Sequence, residues 1–181
     1  MVRAWRSRPI PRLLLSRRAR SLRDGLFVSV AGMLAYTLLF NLSVVRGASM
    51  QPGIHDGDRI LVEPWSFVFG HVNRGDIVVL RSPVDPQLDY IKRVVGLPGE
   101  RVVVGPAGVF VDGSRLEEPY AVTDRDDRVV STVVDPGHVF VMGDNRPHSA
   151  DSRDFGLVPV QDLRGRVELR VWPPARIGIL D

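Results

Sequence analysis

The sequence contains no cysteine. That excludes disulfides, Cys-ligated zinc and a thiol nucleophile, and it leaves the compartment open, since a chain without thiols is indifferent to redox. Lysine is almost as scarce: of 24 basic side chains, 23 are Arg and only Lys92 is Lys. Arg stays protonated at any working pH, whereas a buried Lys can lose its charge. A reaction that needs an amine base therefore has two sources, Lys92 and the chain N-terminus. The four histidines, His55, His71, His138 and His148, form no H-E-x-x-H pattern and no tight cluster with carboxylates, so no metal is expected. Neither G-x-x-x-x-G-K-[ST] nor G-x-G-x-x-G ahead of a helix occurs, which removes the common phosphate cradles. No internal repeat or low-complexity tract is present. No cofactor is expected.

One stretch lacks charge altogether. Residues 26–45, LFVSVAGMLAYTLLFNLSVV, form a 20-residue uncharged run. As a helix it would span about 30 Å, the thickness of a hydrocarbon core. Eight Arg precede it (Arg3, Arg6, Arg8, Arg12, Arg17, Arg18, Arg20 and Arg23), and only Arg46 follows closely. This asymmetry argues against a buried core helix and places the N-terminus in the cytoplasm. A cleavable signal peptide has a shorter apolar region and small residues at the cut, whereas a cut after Ala48 would put Arg46 where a small residue belongs. The expectation is an uncleaved signal anchor. Residues 1–25 would be a basic cytoplasmic arm, residues 26–45 a transmembrane helix and residues 46–181 an extracytoplasmic domain. The arm and anchor carry a net +7 and the remainder −4. The overall pI of about 9.9 therefore belongs to the arm and points to no nucleic-acid partner. The expected non-peptide partner is the lipid bilayer.

From residue 47 onward, short β-like runs alternate with turns. Candidate strands are 59–62, 77–81, 90–95, 101–104, 109–111, 139–142 and 166–171, separated by His55-Asp56-Gly57-Asp58, Arg74-Gly75-Asp76, Leu97-Pro98-Gly99 and similar signals. Residues 102–112 read as a hairpin turned at 105–108. The fold class is mainly β, an antiparallel sheet domain. Residues 113–137 are polar and poorly patterned, a loop or reduced insert. The aromatic stretch 64–69, PWSFVF, serves either core packing or a surface at the lipid interface.

Three places carry candidate chemistry. Ser49 lies in Gly47-Ala48-Ser49-Met50-Gln51-Pro52-Gly53, just beyond the apolar run. Small residues before it admit a substrate backbone, and Pro52-Gly53 makes a turn after it. Lys92 sits in Tyr90-Ile91-Lys92-Arg93-Val94-Val95. On a strand it shares a face with Tyr90 and Val94, while Arg93 faces the other way. Burial would draw its pKa down from about 10.4. The third place is the run GDNRPHSADSRD, residues 143–154, whose alternating acids and Arg can pair and stiffen a loop. A Ser-His-Asp arrangement has one candidate here, His148 beside Asp144 and Asp151.

These pieces, in order, resemble the type I signal peptidases, membrane-bound Ser-Lys endopeptidases. The matching stretches are Ser49-Met50-Gln51-Pro52, Gly75-Asp76-Ile77-Val78-Val79, and Tyr90-Ile91-Lys92-Arg93-Val94-Val95-Gly96-Leu97-Pro98-Gly99. The last is Gly143-Asp144-Asn145-Arg146 with Ser149-Ala150-Asp151-Ser152-Arg153 and Gly156. The resemblance implies Ser49 as nucleophile, Lys92 as general base and Ser149 as the hydroxyl that orients the amine. It implies the Ser49 N–H as an oxyanion donor and Asp144, Arg146, Asp151 and Arg153 as supports. The implied substrates are signal peptides of exported preproteins, bound extended beside the strand of Lys92 and cut after a small-x-small sequence. The implied setting is a bacterial cytoplasmic membrane, and Lys at the base position resembles the bacterial and organelle branch. Two departures stand out: Gly47 replaces a Ser that some relatives use as second oxyanion donor, and the spacing from Lys92 to Gly143 leaves room only for a reduced insert. Two other readings use the same residues: a Ser-Lys peptidase of a dedicated secretion or conjugation system, and an inactive membrane-tethered module that binds peptides by strand addition.

Overall fold

The computed structural model describes residues 21–33, 41–69, 71–123 and 128–180. The chain divides into two compact units, Met1–Leu38 and Leu39–Asp181. In the first, residues 21–33 form helix α1, and every side chain on it is exposed, including Leu26, Phe27, Val30 and Met33. No helix among the described residues is long and apolar enough to cross a membrane.

The expected span 26–45 needs correction at its end. Residues 26–33 lie on α1, and 34–40 fall outside the described residues. Strand β1 (Asn41–Val44) pairs antiparallel with β2 (Arg59–Glu63), Leu42 opposite Leu61 and Val44 opposite Arg59. Val45 then enters the core. The physical reason is the alternation Asn-Leu-Ser-Val, which has the two-residue period of a strand although it carries no charge. The expected division at Val45 moves upstream accordingly.

The second unit is built mainly of antiparallel strands. After β2 and the short helix α2 (Ser66–Phe69) come β3 (Ile77–Arg81) and β4 (Asp89–Gly96). The hairpin β5 (Arg101–Gly105) and β6 (Gly108–Val111) follows, turning at the expected place, then β7 (Ser114–Arg115) and β8 (Val130–Val133). The chain continues through β9 (His138–Met142), α3 (Ser152–Phe155), β10 (Val158–Pro159), β11 (Leu163–Trp172) and β12 (Gly178–Ile179). An eight-stranded sheet runs in the order β1-β2-β11-β3-β4-β9-β10, with β12 on β11. A smaller sheet runs β7-β6-β5-β8. Residues 113–137 are thus more than the expected loop: β8 pairs along β5, Val133 opposite Arg101, and its half-exposed edge position hid it from a reading by hydrophobic pattern.

Three apolar clusters hold this unit together. One packs Val45, Met50 and Ile54 from the Ser49 loop onto Ile60, Val62, Ile77 and Val167. A second joins Val78, Leu80, Val94, Val139, Val141, Val158 and Leu163. The third lies under the hairpin, with Val95, Val102, Val104, Val109, Val134, Phe140 and Met142. Central strands β3, β4 and β9 are buried on both faces, which explains their near-continuous apolar runs. The aromatic stretch divides its work: Phe67 packs against the second cluster, while Trp65 stays 42% exposed.

Candidate active site

The loop that carries Ser49 is closed at its base by the sheet. Val45 N–H donates to Asp58 C=O at 2.8 Å, and Gly57 N–H to Val45 C=O at 3.0 Å. Met50 and Ile54, each 1% exposed, plug its underside into the first cluster. Gly47 adopts φ +92°, a left-handed conformation that costs glycine little, and its N–H is taken by Asp56 Oδ1 at 2.8 Å. Gly47 therefore offers no free N–H for an oxyanion. The Ser49 N–H has no acceptor among the described residues.

Lys92 reaches this loop from the middle of β4, opposite Val78 of β3. The strand alternation works as expected: Lys92 Nζ lies 5.0 Å from the Tyr90 ring centre, while Arg93 turns the other way. Nζ sits 3.1 Å from Ser49 Oγ and donates to Ile91 C=O at 3.1 Å. Lys92 is 3% exposed. Burial pushes its pKa down to about 8; Asp151 opposes the shift and Arg153 assists it. At pH 7.5 about a quarter of such a group is neutral, against about one part in a thousand for a free Lys. A hydroxyl beside a partly neutral amine is suited to acyl transfer through an activated nucleophile.

The 143–154 segment supports the pair, with partners that differ in part from those expected. Asp151 and Arg153 do pair with each other, Nε to Oδ1 at 2.8 Å, and Asp151 Oδ2 also accepts the Gly143 N–H at 3.0 Å. Asp151 caps α3 in a reciprocal box with Asp154. Asp144 pairs with Arg93 of β4 through two parallel hydrogen bonds of 2.9 Å, both side chains buried. The Arg93 guanidinium also stacks 4.0 Å from the Tyr120 ring centre. Arg146 donates to Gly143 C=O at 2.9 Å and pairs with Glu118. The region read as a loop thus supplies two site contacts, Glu118 and Tyr120. Burial, with Glu118 alongside, raises the Tyr120 pKa, so its hydroxyl stays protonated.

Gly143 is where the two segments touch. A Cβ there would come within 2.3 Å of Ser149 Oγ and 2.5 Å of the Ser49 carbonyl oxygen, so only glycine lets the backbones approach this closely. Ser149 is therefore brought to the site, yet its buried Oγ makes no hydrogen bond, to Lys92 or to any other described residue. Asn145, quoted above only as part of a motif, clamps the Ser49 loop: its N–H donates to Ser49 C=O and its Nδ2 to Ala48 C=O, both at 3.0 Å. The Ser-His-Asp alternative does not assemble. Both candidate acids are held by Arg, the His148 ring meets Asn145 rather than a carboxylate, and Ser49 faces Lys92. A cavity of about 1140 Å³ between the hairpin turn and residues 146–154 has Ser149 and His148 in its wall but neither Ser49 nor Lys92.

Comparison with known proteins identifies the family. A family profile described as signal peptidase, peptidase S26, matches residues 19–172. A signal peptidase I of Bacillus caldolyticus is 36% identical over 162 residues, 81% of this chain and 88% of that one. The mitochondrial ATP-independent inner membrane protease subunit 1a of Arabidopsis thaliana is 40% identical over 137 residues, 75% of this chain and 73% of that one. Among solved structures, a signal peptidase I of Enterococcus faecalis V583 is 31% identical, covers 53% of this chain and 96% of that one, and has a TM-score of 0.48. The chain belongs to the signal peptidase family, peptidase S26. It is a serine endopeptidase that removes signal peptides.

Proposed function

We propose that the cleavage is carried by Ser49 as nucleophile and Lys92 as general base. The observation that supports this most is the 3.1 Å approach of Ser49 Oγ to the amine of the chain's sole, buried lysine. The neutral amine takes the hydroxyl proton as Oγ attacks the scissile carbonyl. The oxyanion takes the unoccupied Ser49 N–H. The resulting ammonium protonates the leaving amine, and a water activated by the same Nζ releases the acyl group. Ser149, an unpaired buried hydroxyl beside Gly143, steadies the amine during these transfers. Asp144, Arg146, Asp151 and Arg153 hold the segment in place.

The substrate lies extended beside β4 and is cut after a small-x-small sequence. Residues 1–25 lie in the cytoplasm, the part of the apolar run ahead of β1 anchors the chain in the bilayer, and the β domain works on the far side. The exposed apolar side chains of α1 support an anchor, and the eight Arg ahead of it support the orientation. The test is cleavage of a preprotein by the detergent-solubilised full chain, read by mass spectrometry. A cut after the second small residue is expected, absent in Ser49→Ala and in Lys92→Arg, since Arg cannot serve as a base. Substantial activity in either variant sinks the assignment of that residue.

A further inference from the structure

His148 takes no part in the mechanism above, yet the fold places it one contact from the nucleophile's loop. It ends a 3-10 turn, Arg146–His148, that follows Asn145 and has Pro147 in its middle. In such a turn the side chains at positions i and i+3 eclipse. Asn145 and His148 stand in that relation, closed by the His148 N–H donating to Asn145 C=O at 3.0 Å. Their side chains meet, with His148 Nδ1 3.3 Å from Asn145 Oδ1.

That carboxamide is the clamp already described. It is 9% exposed, and its Nδ2 is committed to Ala48 C=O while the backbone N–H of the same residue holds Ser49 C=O. Because Nδ2 faces Ala48, Oδ1 is the atom turned toward the imidazole, and the imidazole meets it with Nδ1–H.

We propose that His148 is a positioning residue for Ser49: its Nδ1–H fixes the Asn145 carboxamide, which in turn fixes the Ala48 carbonyl at the peptide that leads into Ser49. The proposal rests on Ser49 being the nucleophile. His148 bonds neither Ser49 nor Lys92 and acts through Asn145. Without the imidazole the carboxamide is free to rotate, the Ala48 carbonyl loses its donor, and Ser49 Oγ drifts from its line to Lys92. Small misplacements of reacting groups are costly in rate.

The test is steady-state cleavage of a preprotein by the full chain in detergent, with thermal melting alongside. The variants are Ser49→Ala, His148→Ala, His148→Asn, Asn145→Ala and the His148→Ala/Asn145→Ala double. Ser49→Ala comes first: activity retained there overturns the nucleophile and this proposal together. With Ser49→Ala inactive, His148→Ala is expected to lower kcat about tenfold at unchanged KM and melting temperature, a loss of ~1.4 kcal/mol. His148→Asn, whose Nδ2–H stands at the same point along the side chain as Nδ1–H, recovers kcat to within about twofold of the starting enzyme. In the Asn145→Ala background, removing His148 costs nothing further. A wild-type kcat in His148→Ala, a loss that Asn does not rescue, or a loss that adds in full to that of Asn145→Ala overturns the proposal. Should His148→Ala fail to fold, His148→Asn decides alone: near-native kcat supports the hydrogen bond, and a tenfold loss overturns it.

Discussion

Two irregular segments build the site, and opposite chemistry anchors them. Residues 45–54 are pinned by apolar side chains, with Val45, Met50 and Ile54 sunk in the core, and charge enters only at the loop's end, where buried Asp58 pairs with Arg176 and Arg170. The Ser49 N–H is left without an acceptor among the described residues. Residues 143–154 are pinned by charge, with Asp144, Arg146, Asp151 and Ser152 all buried and every acid matched to a named Arg or backbone N–H. Apolar plugs hold a loop without using up the N–H groups that a reaction needs. Paired charges stiffen a neighbour without leaving a bare carboxylate that would keep Lys92 protonated. The one acid that does pull on the amine, Asp151, is offset by Arg153.

The charged anchor breaks most severely at Asp144. Asp144→Asn strands the buried Arg93 guanidinium, and the expected loss is about 3–5 kcal/mol of unfolding free energy, measured by urea denaturation. A loss below about 1 kcal/mol would mean that the pair is solvated and the contrast with the apolar loop is false.

Lys92 sharpens the contrast from the other side. Its folded pKa of about 8 lies below the usual 10.5, so the unfolded chain binds the extra proton between these values. Burial of Lys92 therefore costs about 3 kcal/mol below pH 8, a cost that fades as pH rises toward 10.5. Lys92→Met should be inactive and more stable than the parent at pH 7, with the advantage shrinking over that window. Equal stability at pH 7 would show that the amine is not desolvated.

The smallest effect is expected at Arg153. Arg153→Gln leaves the pull of Asp151 on Lys92 unopposed, so the rising limb of kcat/KM against pH, centred near 8 in the parent, moves to higher pH. A limb that stays put or moves down would show that the charge of Arg153 does not reach the amine.

Much of this was legible in the sequence, for identifiable reasons. Strands β3, β4 and β9 announce themselves because they are buried on both faces, and Ser49, Lys92 and Gly143 stand in short motifs whose residues must lie close together. What escaped reading depends on contacts far along the chain. Arg93 meets Asp144 across 51 residues, Arg146 meets Glu118 across 28, and Asn145 meets Ala48 across 97. No local pattern selects those partners from the many Arg and acids present. Strand β1 escaped for another reason: counting uncharged residues hides a two-residue period. Lys92 and Arg93 show both situations side by side, one legible from its rarity and the other invisible among 23 Arg.

The solitary side-chain amine has a practical consequence. Growth on 15N-labelled lysine would place a single Nζ resonance in the spectrum of the protein, belonging to the residue beside the Ser49 hydroxyl. The ionisation of the proposed base becomes observable directly, in the resting enzyme and with a peptide bound, without assignment by mutation.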